Sequence, residues 1–129
     1  MDTDQIELLC RSEVYAIVGA AMEVYNHFGA GFSEAICQEV MEMEFDLQGI
    51  PYERQKRMNV AYKGRPLTCQ YIADLVCFGQ VIVEIKSLRK TTRRDQGQLM
   101  NCLRITGLRV GLLINFGDPG RLDWQRFVV

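Results

Sequence analysis

Residues 72–87, IADLVCFGQVIVEIKS, set the strongest limit on what this chain can fold into. Two apolar runs flank Phe78-Gly79-Gln80, the pattern of two strands joined by a tight turn. The first run carries Asp74 and the second carries Glu84 and Lys86. Burying a carboxylate without a partner costs roughly several kcal/mol, so three charged groups on apolar strands need a shared purpose. A divalent cation between the two carboxylates, with the lysine beside it, supplies one.

Strand side chains alternate, so Glu84 and Lys86 share one face while Ile85 points to the other. Whether Asp74 joins them depends on the turn. A two-residue loop at Gly79-Gln80 pairs Asp74 with Ile85 and puts the two carboxylates on opposite faces. A three-residue loop, Phe78-Gly79-Gln80, pairs Asp74 directly with Glu84, and a bulge also restores the convergence. The metal reading therefore requires an odd loop or a bulge. Mg²⁺ suits such a pair, with Mn²⁺ as the alternative, because it takes oxygen ligands at roughly 2.0–2.1 Å and keeps several waters. The carbonyl of Ile85 offers a third ligand. Lys86 would orient or help deprotonate an attacking water, or stabilise developing phosphate charge. The competing reading is a surface ion pair between Glu84 and Lys86 on an edge strand.

The rest of the chain narrows the classes. Its 129 residues suit one domain, here residues 1–129, and 48% hydrophobic with 24% charged residues is a globular composition. The net charge of −1 shows no global basic excess, which argues mildly against tight non-specific nucleic-acid binding. Five scattered cysteines without a CxxC pair argue against a disulfide framework and a structural zinc site, and favour a reducing cytoplasm. The start, MDTDQIE, lacks the basic residues of a signal peptide, and the longest apolar run stops at Glu23, far short of the roughly twenty residues of a membrane span. His27 is the only histidine, which weakens any multi-histidine or Ser-His-Asp site.

Apolar periodicity predicts one helix over residues 4–28, capped by Asp2 or Thr3 and ended by Gly29, and a second over 33–48 closed by Gly49. Strands are expected at 59–62, 69–78, 81–86, 108–116 and 124–129, with a turn at Lys63-Gly64. Residues 86–94 read as an exposed loop and 95–106 as a third long helix. The run at 108–116 is continuous enough to be buried on both faces. An antiparallel meander with helices on its faces accommodates this order, as an α/β or α+β domain.

Asp, a short hairpin and Glu-x-Lys resemble the PD-(D/E)xK nuclease signature. More closely, the chain resembles the small bacterial GxxExxY proteins of that superfamily. The matching stretches are GAGFSEAICQEV, PYERQ, the YKG turn, YIADLV, VIVEIKS, the helix with Gln98-Leu99, and ITGLRVGLLINFG. They run from the first helix almost to the C-terminus. The resemblance implies a restriction-endonuclease-like core, with a central mixed sheet containing an antiparallel meander and flanked by helices. It implies metal ligation by Asp74 and Glu84, a catalytic Lys86, a helical Glu34 facing the metal directly or through water, and a Gln98 that organises the site. Without the family, Glu34 reads as an early-helix carboxylate after the cap Ser33, and Gln98 as a solvated helix residue. Three positions depart from the family pattern: Cys37 replaces the motif Tyr, Ile72 stands where many relatives carry Arg, and Cys102 replaces a helical Tyr.

Arg89, Lys90, Arg93 and Arg94 form a basic cluster just after the Glu-x-Lys strand, placed to hold phosphates. Tyr52, Tyr62 and Tyr71 could stack on bases, although strand tyrosines usually pack structurally. The expected function is hydrolysis of phosphodiester bonds in DNA or RNA through a metal-activated water. The alternative is a catalytically weak or inactive module that keeps the nuclease fold and binds nucleic acid or a protein. A homodimer cutting two strands is one arrangement open to so small a nuclease.

Overall fold

Five strands form one mixed sheet in the order β1-β2-β3-β4-β5, so neighbours in sequence are neighbours in space. The computed structural model describes residues 2–129. The strands are β1 Tyr52–Tyr62, β2 Arg65–Cys77, β3 Val81–Lys86, β4 Val110–Asn115 and β5 Asp123–Val128. Helices α1 Thr3–Leu8, α2 Arg11–Phe28 and α3 Glu34–Gln48 precede the sheet, and α4 Arg93–Thr106 connects β3 to β4. The antiparallel meander covers β1 to β3 only. The α4 crossover makes β4 parallel to β3, and β5 then returns antiparallel to β4.

The sheet separates two apolar clusters. On one side α2 and α3 contribute Ile17, Ala21, Met41 and Phe45, which meet Leu75, Val83 and Ile85. On the other, Leu99 and Leu103 of α4 pack on Ala73, Val76, Ile82 and Leu113. All six residues of β4 are buried, as a strand covered on both faces must be.

Several expected boundaries move. Residues 4–28 are two helices, because Cys10 takes a left-handed conformation at φ 55°. The break is held from outside: Arg126 Nη2 donates to the carbonyls of Ile6 at 3.0 Å and Leu9 at 2.7 Å. The first strand starts at Tyr52 rather than 59 and the second at Arg65 rather than 69, and the two pair along most of their length. Helix α4 begins at Arg93 rather than 95, because Thr92 and Asp95 form a capping box. Arg93 and Arg94 therefore stand on the first helical turn, not in the preceding loop.

Candidate active site

The turn between β2 and β3 has three residues. Cys77 pairs with Val81 and Leu75 with Val83, a register that brings Asp74 opposite Glu84. Phe78 and Gly79 take φ of 57° and 66°, and the Gln80 N–H closes the turn on the Cys77 carbonyl at 3.0 Å. The odd loop that the convergence required is present.

A second irregularity completes it. Tyr52 and Arg54 of β1 face the α2–α3 side, where Tyr52 packs on Phe45 and Arg54 pairs with Glu42 at 3.0 Å. Met58, also even-numbered, packs on the α4 side. The partner strand switches at the same level: Ala73 lies in the α4 cluster and Leu75 in the α2–α3 cluster. Alternation would put each such pair on one face, so both strands turn over between these positions, at Gln55 and Asp74. Gln55 takes φ 44°, and the Gln55–Asp74 pair is missing from a register that otherwise runs unbroken from Tyr52 to Asn59.

The turnover frees the backbone and side chain of Asp74 for other partners. Its carbonyl accepts from Gln38 Nε2 of α3 at 3.1 Å, and Gln38 Oε1 in turn accepts from Gln55 Nε2 at 3.0 Å. Its carboxylate accepts the Ile85 N–H at 2.9 Å, taking the place of a ladder carbonyl. The Asp74 side chain thus sits between the strands, near enough to Glu84 for its charge to act on that carboxyl.

Glu84 and Lys86 line an open cleft of about 300 Å³ between β2, β3 and α4. Tyr71, Asp95, Gln98 and Cys102 line it too. Burial pushes the Glu84 carboxyl up to about 8, and the Asp74 charge adds to the effect. The Tyr71 hydroxyl donates to Glu84 Oε1 and also lies against Cys102; burial, then the Glu84 charge, raises its pKa. Lys86 makes no ion pair within 4.0 Å among the described residues. Asp95 is held below the usual carboxylate range by the Thr92 N–H and hydroxyl, with Lys86 contributing at longer range.

The other expected site residues are placed as follows. Gln98 is exposed on α4 and faces the cleft. Ile85 is 2% exposed, with its side chain in the α2–α3 core. Glu34 opens α3 after the cap Ser33 and lies in a neighbouring hollow with Ser87 and Arg89. Among the described residues no third His, Cys, Asp or Glu gathers with Asp74 and Glu84. Lys90, Arg93 and Arg94 are exposed. Of the three departures, Cys37 is buried, Ile72 is 44% exposed at the cleft, and Cys102 touches Tyr71 there. Tyr71 is the residue that sequence reasoning left among structural tyrosines. Its signal was the odd spacing Tyr71-x-x-Asp74, which points to the cleft only once the turnover is known.

A mixed α+β sheet with an acidic pair across a hairpin and a lysine two residues on defines a restriction-endonuclease-like fold. The chain belongs to the PD-(D/E)XK nuclease superfamily, whose family profile matches residues 11–127. The crystal structure of SSO0001 shares the fold, with a TM-score of 0.57 and 15% identity over 94% of this chain. The chain spans 60% of the length of that protein. No curated protein is significantly similar in sequence. Among the described residues no helix is long and apolar enough to cross a membrane.

Proposed function

We propose that this chain is a Mg²⁺-dependent nuclease of the GxxExxY group, hydrolysing phosphodiester bonds at the cleft between β3 and α4. The observation that carries the reading is the meeting of Asp74 and Glu84 across a three-residue hairpin, with an unpaired Lys86 on the same strand. Superfamily membership supports a nucleic-acid substrate and a divalent metal.

The donor set fits such an ion. Two hard carboxylates meet across the hairpin, and burial, then the Asp74 charge, raises the Glu84 pKa by more than Tyr71 and Lys86 lower it. Asp74 and Glu84 would be the ligands, with the Ile85 carbonyl beside them. A divalent cation there would neutralise the pair and supply Lewis acidity toward a phosphoryl oxygen. Lys86 is free to donate to a water or a non-bridging phosphate oxygen, since nothing among the described residues pairs it. Gln98, one of the cleft-lining residues on α4, can orient the same water through its amide. Tyr71 fixes one Glu84 oxygen, Oε1. Arg89, Lys90, Arg93 and Arg94 hold the substrate backbone. Glu34, in the adjoining hollow, acts through water rather than directly.

The test is cleavage of labelled single- and double-stranded DNA and RNA by wild type and Lys86→Ala, in Mg²⁺, Mn²⁺ or EDTA. Cleavage that requires metal and falls at least about a hundredfold in Lys86→Ala is the expected result. Metal binding without cleavage of any substrate would favour the second reading, a binding module. The two-carboxylate set and the residues Cys37, Ile72 and Cys102 motivate that reading.

A further inference from the structure

Helix α3 is apolar on two faces, and only one of them has a partner in this chain. Cys37, Met41 and Phe45 recur at helical spacing and are buried against the sheet. A second stripe, Ile36, Val40, Met43 and Leu47, recurs at helical spacing about a third of a turn away. Three of its members reach solvent, Ile36 at 42%, Met43 at 60% and Leu47 at 82% exposed, while Val40 is partly buried against the core. Together with Val24 and Phe28 of α2 they line a groove of about 590 Å³ between the two helices. Three carboxylates line that groove, Glu23, Glu39 and Glu44, together with His27. None of the three makes an ion pair among the described residues.

We propose that this groove receives an amphipathic helix of another protein, with an aliphatic stripe and Lys or Arg along its edges. Helix-in-groove recognition needs an apolar trough of this shape, with anchors at i, i+3 or i+4 and i+7. The rim selects the occupant by charge. Nucleic acid and anionic lipid are repelled by three uncompensated carboxylates. A second copy docked groove to groove would set Glu23, Glu39 and Glu44 against the same residues. A basic helix satisfies both the trough and the rim. The groove lies on the α2–α3 side of the sheet and the cleft on the α4 side, so the bound helix leaves the cleft open. Such a partner would carry the domain to its substrate without competing for the site.

The probe is a synthetic helix of about five turns, with Leu at i, i+4, i+7 and i+11 and Lys on both flanks. A twin carries Glu at the flanking positions. Fluorescence anisotropy measures both against wild type, Met43→Ser/Leu47→Ser, and Glu39→Lys/Glu44→Lys, all changes at the rim or in exposed groove positions. The Lys peptide is expected to bind wild type at least about tenfold more tightly than the Glu twin, and to weaken with salt. Met43→Ser/Leu47→Ser should lose both peptides, and Glu39→Lys/Glu44→Lys should prefer the Glu twin. Absent saturable binding, equal affinity for the twins, or indifference to the substitutions overturns the proposal. Sedimentation of wild type as a dimer that Met43→Ser/Leu47→Ser dissociates would also overturn it, by giving the groove to a second copy.

Discussion

Glu84 holds its proton into the neutral range, and that has a measurable consequence for stability. Its pKa rises from 4.5 to about 8 on folding, first through burial and then through Asp74. The folded state therefore binds the proton more tightly than the unfolded one. This contribution is fully present below about pH 4.5 and is lost as pH rises toward 8. Its span is on the order of 5 kcal/mol. The metal-free protein is expected to melt higher at pH 5 than at pH 8, and Glu84→Gln to flatten that difference; equal slopes in the two proteins would contradict the burial of this carboxyl. Saturating Mg²⁺ should restore the loss at pH 8 in wild type alone. Gln38 works at one remove. Its amide fixes the Asp74 carbonyl at 3.1 Å, so Gln38→Ala is expected to cost about 1 kcal/mol in stability yet lower kcat about tenfold. A loss in kcat no larger than in an exposed control such as Glu13→Gln would show that Gln38 only packs. Residue types made Asp74, Glu84 and Lys86 legible in the sequence, because charges on apolar strands are conspicuous. Tyr71 and Gln38 were not legible, since an aromatic on a strand and a glutamine on a helix have many ordinary uses.

The elements divide along similar lines. The hairpin was readable because alternation and turn length fix register, and only the choice between two and three loop residues stayed open. The turnover at Gln55 and Asp74 was hidden, since neither position carries a glycine or proline. Strand β1 was read short because Glu53-Arg-Gln-Lys-Arg57 has no apolar alternation, yet it pairs with β2 from Tyr52 onward. The break at Cys10 lay inside an unbroken apolar period, and Arg126, which bonds the neighbouring Leu9 carbonyl, is 117 residues from it in sequence. The loop leaving β3 has its own anchor. Asn115, fully buried at the end of β4, accepts the Leu88 N–H at 2.8 Å and donates to the Leu88 carbonyl at 2.7 Å. It also accepts the Gly117 N–H at 3.1 Å. Asn115→Ala should cost about 2–3 kcal/mol, lowering Tm by about 8–12 °C, with amide exchange accelerated first at residues 87–92. Uniform acceleration through β4 would show the loss to be global. Gly117 allows the same approach: a Cβ there would fall 2.3 Å from the Leu88 backbone, so Gly117→Ala should displace this loop.

At the scale of the molecule, a net charge of −1 conceals two opposite surfaces. Glu23, Glu39 and Glu44 lie around the α2–α3 groove, while Arg89, Lys90, Arg93 and Arg94 follow the site strand. Composition averages these away, which is why the global charge argued against nucleic acid while the local cluster argued for it. Arg93 and Arg94, on the first turn of α4, are expected to contact phosphates without reading bases. Each substitution to Ala should weaken DNA or RNA binding about equally across sequences and lower the log–log salt slope by about one. A change confined to one sequence would contradict that role. The central claim is that the hairpin and the turnover bring Asp74 and Glu84 together as a divalent-metal site. Mn²⁺ titration followed by electron paramagnetic resonance tests it most directly, in wild type, Asp74→Asn, Glu84→Gln and Lys86→Ala. One bound ion in wild type and Lys86→Ala, lost in both carboxylate variants, is the expected result. An ion that persists in Asp74→Asn and Glu84→Gln, or none in wild type, would contradict the site.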